Sequence, residues 1–357
     1  MSDAAWLITA KSQLRDLGKR HPAIYWADFL LSISFGYLFV ILYLGVLPGM
    51  TPLRVGCFCV AAILLFRATS FAHEIVHFRP GEMTSFKVGW DLLCGIPLFF
   101  PSFAYTHHLD HHRCESFGTK HDGEYLPFGM DPVPMIGRFV LTNFLWPVLV
   151  LFRFTFLTPL SFLYPPFRPW LLSRFSSFGV LNIEHRLNLG PDTPLKYWAF
   201  LDVACFLRTV LLITLVAIGV YDWTFLAGVG LMASSLLLMN IVRTICLHNY
   251  LSAGEKSSYI EQFEDSLTLP NAFPAALLAP VGLRFHALHH LFPQLPYHSL
   301  GIAHRRLMIA LPAGSEYHRT VRSGITAIFA QLWKAARAKR QSPVVQVDTT
   351  GLHNRDE

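Results

Sequence analysis

Charge is what this sequence has least of. Asp, Glu, Lys and Arg make up 15% of its 357 residues, while 53% are apolar and 30 are phenylalanine. A soluble domain carries charge on about a quarter of its residues, so this chain has too little polar material to coat itself. The same balance excludes disorder as its general state. Cysteine is sparse as well: the six, Cys57, Cys59, Cys94, Cys114, Cys205 and Cys246, sit mostly in apolar stretches and include no C-x-x-C pair. That argues for ordinary buried thiols and against a disulfide framework or a site built on paired thiolates. There is no His-Pro-Gly-Gly haem signature, no dinucleotide-binding fingerprint, no internal repeat and no low-complexity run. A cleaved leader is not expected, because Lys11, Arg15, Lys19 and Arg20 precede an apolar run too long to be one.

What is present is a set of long apolar runs. Four of them, Phe29 to Leu47, Leu53 to Ala72, Ala199 to Val220 and Trp223 to Ile241, are about 18 to 22 residues long, enough for a helix to cross the hydrocarbon layer. Pro48 to Pro52 joins the first pair and Tyr221-Asp222 the second. Links so short make each pair a helical hairpin that returns the chain to its starting side. Leu92 to Tyr105 is too short to cross, and Phe139 to Tyr164 is long enough but interrupted by Pro147, Arg153 and Pro159. If Phe139 to Tyr164 crossed, the following loop with Arg168, Arg174, Arg186 and Lys196 would lie opposite the basic N-terminus, against the positive-inside rule.

The sequence therefore predicts an all-α integral membrane protein of about four transmembrane helices, two hairpins under a cytosolic helical cap. Phe139 to Tyr164 would lie along or partly into the same leaflet; six crossings with re-entrant pieces is the alternative. Residues 1–340 read as one membrane domain and 341–357 as a polar, disordered tail. The formal net charge of +6, from 29 basic and 23 acidic residues, collects near the ends of the apolar runs. It speaks of topology and not of nucleic acid.

Histidine is abundant, with 17 residues, nine of them in three short clusters: His73 and His77; His107, His108, His111 and His112; His286, His289 and His290. Spacings of i, i+4 and of i, i+3, i+4 put the imidazoles of a cluster on one helical face. One ion takes four to six ligands, so eight converging histidines imply two metals, and imidazole suits iron, zinc, copper and nickel alike. His248, shortly past the fourth span, emerges on the same side. His73-Glu74-Ile75-Val76-His77 is also the H-E-x-x-H of zinc metallopeptidases, with Glu74 as general base. That reading leaves at least six clustered histidines without a role. A metal carrier or channel would want polar residues lining mid-span, and the spans offer only Arg67, Asp202, Arg208 and Asn240.

These clusters have the form of three ordered histidine boxes, H-x(3,4)-H, H-x(2,3)-H-H and H-x(2,3)-H-H. Over roughly Phe29 to Leu307 the chain resembles the membrane-bound fatty acid desaturase and hydroxylase superfamily. The likeness is greatest to bacterial fatty acid desaturases. It includes Gly118-Thr119 and Asp122-Gly123-Glu124-Tyr125-Leu126-Pro127 after the second box, and Leu291-Phe292-Pro293 with Pro296-Tyr297-His298 after the third.

The resemblance implies a non-haem di-iron centre held by His73, His77, His108, His111, His112, His286, His289 and His290, completed by His248. His107 and His108 both fit the second box; His108 keeps three rings on one face. The activity implied is O2-dependent introduction of a double bond into a fatty acyl chain, with lipid hydroxylation or ketolation by the same site as the alternative. Breaking an unactivated C–H bond is beyond any side-chain acid, base or nucleophile, so the cofactor carries the chemistry. Electrons must come from an external donor, a ferredoxin-like or small haem protein suited to a basic face. A bacterial inner membrane with the boxes on the cytosolic side is the expected location.

Metal-bound imidazoles usually donate their second N–H to an acceptor, and Glu74, Asp110, Asp122, Glu124, Asn249 and Asp265 are the candidates, with Arg284 as a further neighbour. His21, His121, His185, His298, His304, His318 and His353 read as surface or hydrogen-bonding residues.

Overall fold

The structure, a computed structural model, describes residues 3–125, 132–177, 185–252, 254–271 and 273–341. Among them the chain is helical, with only isolated bridges, which tie His248 to Ser266 and Thr268 to both Phe285 and Val321. The helices begin with α1 (Asp3–Leu14), α2 (Pro22–Ile41), α3 (Pro52–Val76), α4 (Thr84–Trp90) and α5 (His108–His111). Next come α6 (Pro132–Phe152), α7 (Thr158–Leu163), α8 (Phe167–Phe175), α9 (Leu195–Ala217) and α10 (Trp223–Ile245). The last are α11 (Tyr259–Asp265), α12 (Ala275–Leu278), α13 (His286–Leu291), α14 (Tyr297–Ala310), α15 (Glu316–Arg319) and α16 (Ile325–Gln341).

Local chemistry sets the ends of the two hairpins. Pro22 and Pro52 begin α2 and α3, where a missing N–H costs nothing. The Thr51 side chain accepts the Arg54 N–H at 3.2 Å, and Asp222 does the same for Phe225 at 2.8 Å at the start of α10. Helices α2 and α3 lie so close that a Cβ on Gly36 would stand 2.7 Å from Leu65 Cδ2. Such near-contact suits packing in lipid, where close backbone approach replaces the hydrophobic drive between helices. Leu31, Phe35, Leu38 and Ile41 on α2, and Leu207, Leu211 and Ile213 on α9, turn outward and are exposed. An exposed apolar belt of this extent belongs in a bilayer.

Among the described residues, five helical segments are long and apolar enough to cross a membrane: Pro22–Val46, Pro52–Val76, Leu141–Leu163, Leu195–Ala217 and Trp223–Ile245. The third of these is the interrupted stretch, and the structure accounts for its interruptions. Pro147 lies inside α6, a π-helical turn, Arg153–Leu157, joins α6 to α7, and Pro159 sits at the start of α7. Arg153 is buried but neutralised, since its Nη1 pairs with Asp202 of α9, whose other oxygen takes Arg168 at 3.1 Å.

Both flanks of this segment lie on the side where α3 and α10 deliver their histidines. Before it, the Tyr125 ring is 5.8 Å from that of His248. Within and after it, Phe154 packs with Phe103 and Trp198, and His185 lies 3.1 Å from Asp110 of the second box. The two hairpins supply four of these five candidate spans and the interrupted stretch is the fifth, so the expected number of about four is approximate. On the histidine side α1 packs against α14 through Trp6, Ala10 and Leu14 on one and Ala303 and Leu307 on the other. This helical cap encloses the third box.

Candidate metal centre

The end of α3 carries His73 and His77, α5 and its C-cap carry His108, His111 and His112, and α13 carries His286, His289 and His290. His248 follows α10 directly. The fold brings these nine imidazoles into two groups, in each of which one nitrogen from every ring lies within 4.8 Å of the others: His73, His77, His108, His112 and His289; and His111, His248, His286 and His290. Each group could hold one metal ion. The two abut, with the rings of His112 and His290 stacked at 4.3 Å.

The nitrogens converge as ligands would. His112 Nε2 lies 3.0 Å from both His108 Nε2 and His289 Nε2. His286 Nε2 stands 3.0 Å from His248 Nε2 and 3.1 Å from His290 Nε2. Both ring nitrogens of His73, and Nε2 of His77 and of His111, are buried with no hydrogen-bond partner. Polar atoms so buried are costly unless satisfied, and one cation at the centre of each group would satisfy them together. Burial, then the neighbouring imidazoles, holds His112, His286, His289 and His290 well below the usual histidine range. Burial does the same for His77. The rings are thus neutral near pH 7, the form that ligates metal.

Three carboxylates stand against the outer sides of the groups. Asp122 Oδ2 lies 2.8 Å from His111 Nδ1 and accepts the Gly118 N–H at 2.9 Å, while its Oδ1 accepts those of Glu124 and Tyr125. Burial pulls the His111 ring down, but this carboxylate, together with the charges of Glu124 and Asp265, offsets it and the ring ends raised. Burial pushes Asp122 up, and His111 with the Gly118 and Glu124 N–H groups brings it below its usual range. Asp265 Oδ2 stands 3.1 Å from His248 Nδ1, and its Oδ1 accepts the Leu251 N–H at 2.7 Å. Glu124 Oε1 lies 3.1 Å from His108 Nδ1 and 3.3 Å from His107 Nε2. A carboxylate on Nδ1 leaves Nε2 of the same ring free to face inward.

The remaining candidates point elsewhere. His107 is outside both groups, on the far side of Glu124. Glu74 accepts the Tyr25 hydroxyl and the Tyr297 N–H and, among the described residues, forms no hydrogen bond or ion pair with a grouped imidazole. A metallopeptidase would need that carboxylate beside the metal. Asp110 holds Arg113 at 2.9 Å and His185 at 3.1 Å, and the Asn249 side chain meets Glu264 and Arg322. The Arg284 guanidinium donates to the Pro270 carbonyl at 3.3 Å. His298 lies against His21 and Tyr25, and His304 Nδ1 is 2.8 Å from the Tyr317 hydroxyl.

Below the groups runs an apolar cavity of about 340 Å³ between α3, α6 and α10, reaching from Leu226 and Val229 up to His73, Tyr105 and Arg243. Tyr105 and Arg243 are the residues that reading the sequence passed over. The signal was there in an arginine near the end of an apolar span, five residues before His248.

The family model for fatty acid desaturases matches residues 48–321 of this sequence. The chain belongs to the fatty acid desaturase family. It is 37% identical over 341 residues, covering 95% of its length and 96% of the relative's, to a ceramide hydroxylase of Caulobacter vibrioides. No solved structure matches it. The chain is accordingly a multi-pass membrane oxidoreductase that acts on lipid. The likeness to a hydroxylase fits the hydroxylating alternative better than desaturation.

Proposed function

We propose that this protein is a di-iron lipid hydroxylase that uses dioxygen to place a hydroxyl group on a ceramide-like lipid. The observation that carries the reading is the pair of buried imidazole groups closing one end of an apolar slot. The histidines of the first group would hold one iron and those of the second the other. When bound, the pair of irons would supply the activation of dioxygen that no side chain can. The chain's own residues do the rest: the slot holds a hydrocarbon chain away from water, Asp122 and Asp265 fix the tautomers of His111 and His248, and the Glu124 charge stands beside His108.

The membrane would be a bacterial inner membrane with the imidazole groups on the cytosolic side, in line with the positive-inside rule. Electrons would arrive from a ferredoxin-like or small haem protein. A recess of net basic charge supports this: Lys11, Arg15, Arg79 and Arg20, the last paired with Glu82, line a cavity of about 380 Å³ that also includes Leu291, the residue after His290. Arg20 also reaches the His77 carbonyl at 3.5 Å. Opposite charge steers such encounters.

Lipid mass spectrometry on a ceramide-producing host expressing the wild type beside His289→Ala tests the reading. A ceramide species that gains one oxygen only with the wild type supports it, while a species that loses two hydrogens returns the protein to desaturation.

A further inference from the structure

Arg243 occupies an unusual place. It lies in the last turn of α10 and is 4% exposed. Its Nη2 donates to the Tyr105 hydroxyl at 3.1 Å, and its buried Nε has no partner. Among the described residues no carboxylate forms an ion pair with it. A buried guanidinium without a counter-charge is costly, and arginine offers donors only. The Glu124 carboxylate lines the gap beside Arg243 but stands against His107 and His108 and forms no ion pair with the guanidinium, so Nε is left open to a further acceptor.

Its surroundings say where that acceptor comes from. Arg243 borders two spaces at once: the apolar slot, and a small gap lined by His73, Tyr105, Glu124, His248 and His286. The polar lining of the slot is concentrated at this end, where Thr69, Ser70 and Asn240 join Arg243 and Tyr105. The other end is Leu226, Val229, Gly230 and Ala233. A ligand matching that gradient has one acceptor oxygen at the head of a long hydrocarbon chain. Its head lies beside the metal groups and its tail runs away from them.

We infer that Arg243, held by Tyr105, binds the acceptor oxygen of the lipid substrate, the amide carbonyl in a ceramide, and so confines oxidation to carbons a few bonds from that oxygen. This deepens the reading above and rests on it for the identity of the lipid. The carbon presented to His73 and its neighbours is then near the head of the chain and not at its far end.

The test is equilibrium binding of N-hexadecanoyl sphinganine and of octadecane to the detergent-solubilised full chain, as wild type, Arg243→Leu and Arg243→Lys. Arg243→Leu should weaken ceramide binding about 10- to 100-fold, the range of a charge-assisted hydrogen bond, and leave octadecane binding unchanged. Arg243→Lys should recover part of the loss. Where turnover is measured, the wild type should modify one position near the carbonyl and Arg243→Leu should spread the product over several. Wild-type ceramide affinity in Arg243→Leu overturns the inference. Equal weakening for both ligands also overturns it, since that is a packing effect. If Arg243→Leu fails to accumulate, Arg243→Gln carries the same comparison. Loss of two hydrogens by the wild type would sink the hydroxylase reading and leave the binding result standing.

Discussion

Asp265 and His248, 17 positions apart in the chain, meet with a carboxylate oxygen 3.1 Å from the ring's Nδ1, both side chains buried. The contact aims Nε2 of His248 at His286, 3.0 Å away. Partners of this kind typically hold a metal site's affinity up by about 10- to 100-fold. Asp265→Ala should therefore purify with less metal per chain than wild type, and so should Asp122→Ala. Elemental analysis of the purified variants, with His304→Ala as a histidine change outside both groups, decides it; unchanged metal content would count against the orienting role.

Gly118 tests the same support from the backbone side. Its φ is +68°, and a Cβ there would meet Ser252 Cβ at 2.5 Å and Oγ at 2.6 Å. Its N–H also donates to Asp122. Gly118→Ala should cost at least about 1 kcal/mol from the backbone conformation alone, and more from the contact. A lower thermal midpoint together with a loss of bound metal is expected, whereas a wild-type melt would show that the loop yields freely.

Asp202 neutralises two arginines, Arg153 and Arg168. Removing one partner of such a buried set typically costs about 3–5 kcal/mol, because a bare charge is left behind. Asp202→Leu should accumulate poorly in membranes, and the double change Asp202→Leu with Arg153→Met should restore part of the yield on a quantitative blot. No rescue would place the defect elsewhere.

Stability of the metal-free chain should fall with acid. Burial lowers the folded-state values of His77, His112, His286, His289 and His290. Above about pH 6.5 these rings are neutral both folded and unfolded. As pH drops below that value the unfolded chain takes up protons that the folded one resists, so stability is lost. Melting curves of metal-stripped protein should show a lower midpoint at about pH 5.5 than at about pH 7.5, and a flat profile would mean the groups open to water without metal.

The hairpins and the histidine groups were legible because each is written in one dimension: apolar runs of spanning length, and ring spacings that fit a single helical face. Phe139 to Tyr164 resisted reading because the partner that neutralises Arg153 is Asp202, on a helix far along the chain. Charge argued against its crossing, yet the helix it forms is long and apolar enough to count as a fifth candidate span. Among the acidic candidates, sequence proximity to the boxes did not sort orienting groups from bystanders. Glu74 is next to His73 yet faces Tyr25, while Asp265 is distant yet faces His248. Arg243 escaped notice because an arginine at a span end usually reaches the interface, and only the fold shows it buried between slot and metal groups.

The most direct measurement supplies the purified, iron-loaded chain with a ceramide, a chemical reductant and isotopically heavy dioxygen, and reads the lipid by mass spectrometry. The account predicts one heavy oxygen atom in the product, absent with His289→Ala. A product that has lost two hydrogens and carries no heavy oxygen would contradict it.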